Sequence, residues 1–480
     1  MSRADYCVSK NANTSLPTFF AFSLSGISLL CGCFMLLLPS NETYDLLCLL
    51  PICYGFASFL AFMSIGQYLM KSMVSVLIFG GYFIRMVATP GLFAFGGYES
   101  FLGACVSEQG LTKAVVYMCL ETITVLGVAA YAGRWVSKEN EVEINFSNYN
   151  TKIFNIAVGA IFLFLFVAYI AIPAISSIYI FLPLADFDKI ADLRWDNETI
   201  VERGTLARYV YSLFTFVWPI FRIIMPSFMI THFYKKYGTR TKGMICSIFC
   251  LILPAILLGG DNIAPFIGIF VGIIVLNKLY KKSVRKYLIG IGLVAVVPLG
   301  IVVLSKVSLM SDWRGATGIS VVAQLLHNYF PGFDNMAVVF DMNQENKITT
   351  LFFDLYYAIP FKETLLGLKG EYIQDIFETY TATGGQIVPF MGQLTYYLGP
   401  FSLLFISLIT LLSYKLEYKS RTAENFWKYF ICMYLSINTA MALSIYSVSI
   451  YVRGLVNIVL PAYVIISLIG KKRGKQVGQK

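Results

Sequence analysis

Charge is scarce in this chain. Asp, Glu, Lys and Arg make up 13% of its 480 residues, about half the share of an ordinary globular domain, and histidine occurs only twice. So few charges cannot coat a water-facing surface, and with 57% apolar residues the composition excludes a soluble enzyme and a disordered polymer alike. Cysteine is present but unpatterned: most of the ten fall inside apolar runs, as Cys31, Cys33, Cys246 and Cys250 do. No disulfide framework or zinc spacing emerges, and the thiols read as small apolar side chains. Also missing are a P-loop, a GxSxG elbow and an HExxH helix, so ATP-driven and metalloprotease chemistry has no motif behind it and no metal or cofactor is expected. No cleavable leader is expected either, because the segment before Pro17 is polar and the first apolar run is long enough to span.

What the sequence has is runs of about 20 apolar residues, the length that crosses a hydrocarbon core as a helix. They lie at about 17–38, 46–66, 72–95, 112–133, 152–172, 207–231, 242–258, 262–279, 287–305, 388–414, 427–446 and 448–469. The reading is an all-α integral membrane protein with about 12 transmembrane helices in a single polytopic domain, 1–480. Basic clusters fall at Lys235–Lys242, Lys278–Lys286, Tyr414–Lys428 and from Lys471 onward. Alternating spans put all four on one side, where Lys and Arg far exceed Asp and Glu, while the other side holds twice as many acidic as basic residues. Cytoplasmic loops carry the basic excess, so both termini are placed in the cytoplasm. The net charge of +10 is thereby a topology signal, and no separate basic surface suggests nucleic acid. Two outward-facing loops are large, about 173–206 and 306–387, and long connections in compact proteins carry function or disorder. The second contains Ile319–Phe330 and Leu351–Leu368, whose mixed apolar and polar runs suit short interfacial helices.

The arginines and the few titratable groups narrow the chemistry. Arg194, Arg203 and Arg208 crowd the end of the first large loop (LRWDNETIVERGTLARYV), and Arg314 opens the second (SDWRGATG). A guanidinium fork suits phosphate oxygens, so these four could grip a pyrophosphate, although Asp192, Asp196, Glu198 and Glu202 offer local ion pairs instead. Arg85, Arg222 and Arg453 lie within spans, where a charge is expensive and must face protein, water or an anion. Glu121 in the fourth span is a partner for one of them, with Arg85 the first choice, and Arg453 can snorkel to the outer interface or reach an anionic head group. Of the two histidines, His327 in LLHNYFPGFDNM lies in the large outer loop, where an imidazole of ordinary pKa could accept a hydroxyl proton. Packing against an apolar face is its structural alternative, and Asp334, Asp354 and Glu378 are rival bases. Residues 378–401 (ETYTATGGQIVPFMGQLTYYLGPF) carry no charge after Glu378. Thr379, Thr381, Thr383, Gln386, Gln393, Tyr396 and Tyr397 could hydrogen-bond to or stack on a neutral polar ligand, or the stretch is an ordinary kinked helix start.

The segments HNYFPGFDNMAVVFD (His327–Asp341) and GGQIVPFMGQLTYYLGPF (Gly384–Phe401), together with many spans, cytoplasmic ends and arginine-bearing outer loops, resemble the Wzy-type polymerases of bacterial O-antigen, capsule and related polysaccharides. The chain departs from the family in having Gly259-Gly260-Asp261-Asn262 where members often carry a Gly-Ser-Arg turn. The resemblance implies a multi-pass protein of the bacterial cytoplasmic membrane that moves a growing glycan from undecaprenyl pyrophosphate to the non-reducing end of another lipid-linked repeat unit. It implies no metal or nucleotide sugar, undecaprenyl-pyrophosphate-linked oligosaccharides as substrates, membrane lipids as surroundings, and a chain-length regulator and a flippase as partners. His327, Arg314 and Arg203 become the catalytic residues; Arg194, Arg208, Arg453, Arg85, Asp334, Gln386, Gln393, Tyr396 and Tyr397 become substrate-binding. Two rivals share the plan: a ligase that attaches finished polymer to another acceptor, and a lipid-linked oligosaccharide flippase or transporter. Transporters commonly repeat one half in the other, and the sequence has no such repeat, which disfavours the last.

Overall fold

A computed structural model of the protein describes residues 3–38, 42–99, 102, 105–138, 142–144, 151–178, 206–256, 264–280, 318–342, 347–357, 359, 371–382, 387–445 and 447–469. Of these, 88% are helical and none forms a strand, as expected where hydrocarbon forces each backbone group to find its partner within its own segment. The α-helices in chain order are α1 (Arg3–Met35), α2 (Leu49–Ile65), α3 (Met73–Phe83), α4 (Thr89–Phe95), α5 (Glu108–Lys138), α6 (Thr151–Ala171), α7 (Pro173–Ile178), α8 (Leu206–Pro219), α9 (Met225–Tyr237), α10 (Thr241–Ile256), α11 (Ala264–Tyr280), α12 (Ile319–Tyr329), α13 (Phe333–Asp341), α14 (Lys347–Tyr357), α15 (Ile373–Thr381), α16 (Phe390–Leu398), α17 (Ser402–Arg421), α18 (Phe426–Ala442), α19 (Val448–Gly454) and α20 (Leu460–Ile469).

Among the described residues, six helical stretches are long and apolar enough to cross a membrane: Thr18–Met35, Glu42–Ile65, Met73–Phe95, Glu108–Val136, Leu206–Tyr237 and Phe390–Arg421. Shorter apolar helices occupy Asn155–Ala171, Thr241–Leu251, Ile267–Tyr280 and Val448–Val464. The apolar run at 427–446 is helical as α18 as far as Ala442, and the run at 287–305 lies outside the described residues.

Three of these stretches widen into a π-helical turn: Ile84–Ala88, Ile220–Ile224 and Leu455–Val459. Each is followed, two residues on, by a proline: Pro90, Pro226 and Pro461. A proline lacks the N–H that would bond the carbonyl four residues back, and its ring collides with that carbonyl. Widening the helix by one residue relieves the clash and shifts the ladder, so that Thr89 N–H and Met225 N–H bond the carbonyls of Ile84 and Ile220, five residues back. Arg85 and Arg222 lie inside such turns, and Arg453 just precedes one.

The chain forms two compact units. One comprises Met1–Glu143, Arg314–Glu424 and Ile431–Gly454; the other comprises Ile144–Trp313, Asn425–Phe430 and Leu455–Lys480. In the first, α1 packs on α2, α2 on α5, and α5 on both α13 and α17. Buried Glu417 of α17 ties one end of this bundle together. Its carboxylate accepts from Met73 N at 2.9 Å, Val74 N at 3.2 Å and Ser72 Oγ at 2.7 Å, and pairs with Arg421 at 2.9 Å, so an acid occupies the positive end of α3. Asp341 does the same for α5, accepting from Ser107 N at 3.0 Å and Ser107 Oγ at 2.7 Å.

The described parts of the long segment 306–387 are largely helical. The helix expected at 319–330 is α12; of the one expected at 351–368, residues 351–357 belong to α14 and 358 and 360–368 lie outside the described residues; the segment also holds α13 and α15. A core of Val338, Val339, Met342, Ile373, Ile376, Phe377, Val388 and Tyr396 joins α13, α15 and α16. In the second unit α9 packs on α10 and α11, and α6 on α8, around Leu165, Ala168, Phe214, Trp218 and Phe221.

Candidate functional site

The first unit buries an arginine, two acids and a histidine within one cluster. Arg85 projects from the π-helical turn between α3 and α4, 1% exposed. Its Nη1 pairs with Glu121 Oε1 of α5 at 2.7 Å, and its Nε donates to the Pro331 carbonyl at 2.8 Å. Glu121 Oε1 accepts a second hydrogen bond from Tyr82 Oη at 2.6 Å. Sequence reasoning paired Arg85 with Glu121, and the two are indeed partners. The pair is incompletely satisfied: buried Arg85 Nη2 and Glu121 Oε2 find no hydrogen-bond partner among the described residues.

Pro331 and Gly332 form the turn between α12 and α13, and this turn brings the histidine to the arginine. A Cβ on Gly332 would lie 3.6 Å from His327 Nε2, an ordinary van der Waals contact, so the turn runs directly alongside the imidazole. The His327 ring meets the Phe333 ring edge-on at 5.0 Å, and its Nε2, buried, has no partner among the described residues. Burial first, and then the nearby Arg85 charge, push the imidazole pKa down to about 4. His327 is therefore neutral at physiological pH, and a neutral imidazole can accept a proton. Asp334, one residue beyond Phe333, is buried and accepts from Tyr44 Oη at 3.3 Å.

A second cluster joins α14 to α16. Tyr397 donates its hydroxyl to buried Asp354, which also accepts from Ile373 N, at the start of α15, at 3.4 Å. Burial pushes the Asp354 pKa up to about 6 against the lowering effect of both hydrogen bonds, with Asp375 adding to the rise. Tyr396 is buried, and Lys347 Nζ stands 5.3 Å from its ring centre. Gln393 is fully buried and accepts from Val448 N at 2.7 Å, capping the start of α19, while its Nε2 has no partner among the described residues. Gly399 has φ +56 and, with Pro400, breaks the helix between α16 and α17.

The structure thus brings Arg85 to the turn that follows His327, holds Asp334 on Tyr44 at the start of α13, and separately sets Tyr396 and Tyr397 near Asp354. Arg453 is exposed on α19, which packs against α14. Arg208 is half-buried in the first turn of α8, in the second unit. Arg194, Arg203, Arg314 and Gln386 lie outside the described residues. Glu378 is half-buried and accepts from Gln374 Nε2 at 2.8 Å. Sequence reasoning missed Tyr44, Tyr82, Tyr98 and Gln324. Only Tyr98 carried a local signal, the Gly96-Gly97 pair before it. Among the described residues no group of His, Cys, Asp and Glu could hold a metal ion. Compared with protein-family models, curated proteins and solved structures, the chain matches none of them.

Proposed function

We propose that the protein is a membrane glycosyltransferase that polymerises lipid-pyrophosphate-linked oligosaccharide repeat units on the outer face of the bacterial cytoplasmic membrane. In this reading twelve helices span, both termini are cytoplasmic, and 306–387 lies outside. The observation that carries it is the meeting of a neutral imidazole, His327, with a buried guanidinium, Arg85, each retaining an unpartnered nitrogen among the described residues. Glycosyl transfer from a pyrophosphate can use both. The bond between the anomeric carbon and the pyrophosphate oxygen breaks, and its electron pair leaves on the pyrophosphate. The acceptor hydroxyl oxygen forms the new bond to that carbon, and its proton passes to His327 Nε2. Arginine stabilises the departing charge and the imidazole takes the proton. On the family resemblance, Arg203 and Arg314 are assigned to catalysis, and Arg85, Arg194, Arg208, Arg453 and Asp334 to binding the lipid-linked substrates. Gln386, Gln393, Tyr396 and Tyr397 line the path of the glycan. Undecaprenyl-pyrophosphate-linked oligosaccharides are the substrates, and the chain-length regulator and flippase are partners in the membrane.

Purified protein given only lipid-pyrophosphate-linked repeat units should yield a ladder of longer lipid-linked glycans without nucleotide, ion gradient or added divalent metal. Arg203→Ala, Arg314→Ala and His327→Ala should each reduce it by about 10²-fold or more, and exposed Lys113→Ala should leave it unchanged. No ladder from the unaltered protein would overturn the proposal.

A further inference from the structure

A strained aromatic turn and two unpartnered polar atoms lie together beside this cluster. Tyr98 has φ +62, and Ala382 is the one other non-glycine with positive φ among the described residues. A tyrosine has no local reason to adopt that conformation, which its Cβ disfavours. Gly97, at φ +86, precedes it, and nothing approaches within 4 Å of a Cβ built there, whereas Gly96 is pressed against α12, its Cβ position 3.0 Å from the Ser320 Cα. The turn lays the Tyr98 ring in a stack on Tyr44, centroids 5.8 Å apart and planes 19° apart, and edge-on to Phe93 at 5.9 Å. Phe93 meets Phe333 at 5.0 Å, and Phe333 meets His327. An aromatic row therefore runs from the half-buried Tyr98 to the imidazole.

Gln324 and His327 are three residues apart on α12 and so share a face. Gln324 Nε2 donates to the Glu99 carbonyl at 3.2 Å, holding the residue after Tyr98. Its Oε1 is buried without a partner among the described residues, as is His327 Nε2. Two such atoms on one face ask for an explanation, and backbone strain concentrates where ligands are clamped.

We propose that the Gly96–Glu99 turn is a strap that admits one neutral sugar ring between Tyr98 and α12. The apolar C–H face of the ring lies on the Tyr98 aromatic face, and neighbouring hydroxyls meet Gln324 Oε1 and His327 Nε2. The strap hinges at Gly97, opens on loss of the Gln324–Glu99 hydrogen bond and closes over the sugar, so the atoms are sealed when the site is closed. The pattern of an aromatic wall with a few convergent polar atoms is that of a small-molecule site, and neutral amide and imidazole groups suit hydroxyls over phosphate. The inference deepens the glycosyltransferase reading by assigning the sugar next to the reacting hydroxyl, and it rests on that reading for its place in the reaction.

The test is binding, read apart from turnover. Methyl glycosides of hexoses, 6-deoxyhexoses and N-acetylhexosamines are offered to the full chain in a detergent without a sugar headgroup, with saturation-transfer NMR as the readout and inorganic pyrophosphate as competitor. At least one glycoside should receive saturation and persist in excess pyrophosphate. Tyr98→Phe should keep the affinity, and Tyr98→Gly should lower it at least tenfold without lowering the thermal midpoint, because glycine relieves the positive φ. Gln324→Met, which removes the amide at similar volume, should lower it comparably, so the proposal stays testable if Tyr98→Gly folds poorly. Absence of transfer to any glycoside, displacement by pyrophosphate, or unaltered affinity in both Tyr98→Gly and Gln324→Met would overturn it. Binding without a ladder would sink the polymerase reading and leave the sugar site; a ladder with any of these three overturning results would do the reverse.

Discussion

The Arg85–Glu121 pair allows structural and chemical roles of one arginine to be separated. Both side chains are essentially inaccessible, at 1% and 0% exposure. Glu121→Gln strands a guanidinium inside the bundle and weakens the acceptor for Tyr82, and breaking a buried pair in this way costs about 3–5 kcal/mol. The thermal midpoint should fall by on the order of 5–10 °C, taking about 2 °C per kcal/mol for a unit of this size. Arg85→Met strands the carboxylate instead, which can take up a proton, so its loss should be smaller. The double variant Arg85→Met/Glu121→Gln leaves no stranded charge and should recover most of the loss, a coupling of about 2–3 kcal/mol in the cycle. Midpoints followed by intrinsic fluorescence in one detergent give the cycle directly. Simple additivity would refute the pairing argument. The same proteins then report on chemistry: a folded double variant that makes no glycan ladder assigns Arg85 a role beyond its partner, and a ladder at the unaltered rate confines it to holding Glu121 and the Pro331 turn.

Further outcomes follow from titration and packing. His327 has a folded pKa of about 4, below its unfolded value near 6.5, so its contribution to stability is present above pH 6.5 and is lost as pH falls to about 4; unfolding curves should show a drop of about 3 kcal/mol over that window, absent in His327→Gln. If His327 is the base, the ladder rate should hold to about pH 5, where an unperturbed histidine would already be protonated. Asp354 behaves oppositely: its folded pKa of about 6 is raised, so the neutral form is favoured and stability falls as pH rises toward 6, and Asp354→Asn should stabilise the protein at pH 7.5 and flatten its pH dependence between 4 and 6. Gly268→Ala should lose about 1–3 kcal/mol, because its Cβ would meet the Arg222 carbonyl oxygen at 2.2 Å; a neutral result would show that α11 can shift away.

Much of the helical layout was legible because apolar runs of spanning length are a strong, long-range signal. The cap helices α13 and α15 were not. Phe333–Asp341 and Ile373–Thr381 are nine residues each, too short for helical periodicity to stand out, and they owe their stability to the shared core with α16 rather than to propensity. The same limit hid Tyr44 and Gln324, which lie more than 200 residues from the partners that give them meaning, Asp334 and the Glu99 carbonyl. Arg85 with Glu121 was legible because two opposite charges inside spans have few other ways to be tolerated.

The histidine marks where composition misleads most. A lone imidazole in a loop suggests an exposed base of ordinary pKa, yet His327 lies on the buried face of α12, shielded by Phe333 and facing the charge of Arg85. Both effects favour the neutral form by penalising the imidazolium, so the ring stands unprotonated at physiological pH and is at the same time a weaker base than a free imidazole. What burial removes is access, and access depends on the turn that Gln324 fastens over α12. The two helix-breaking devices around it are Pro90, in the first turn of α4 after the Arg85 turn, and Gly96-Gly97, just past the end of α4 and before Tyr98. One aims the cation inward, and the other carries the aromatic strap, so a single seven-residue helix sets the spacing between the charge and the cover of the site.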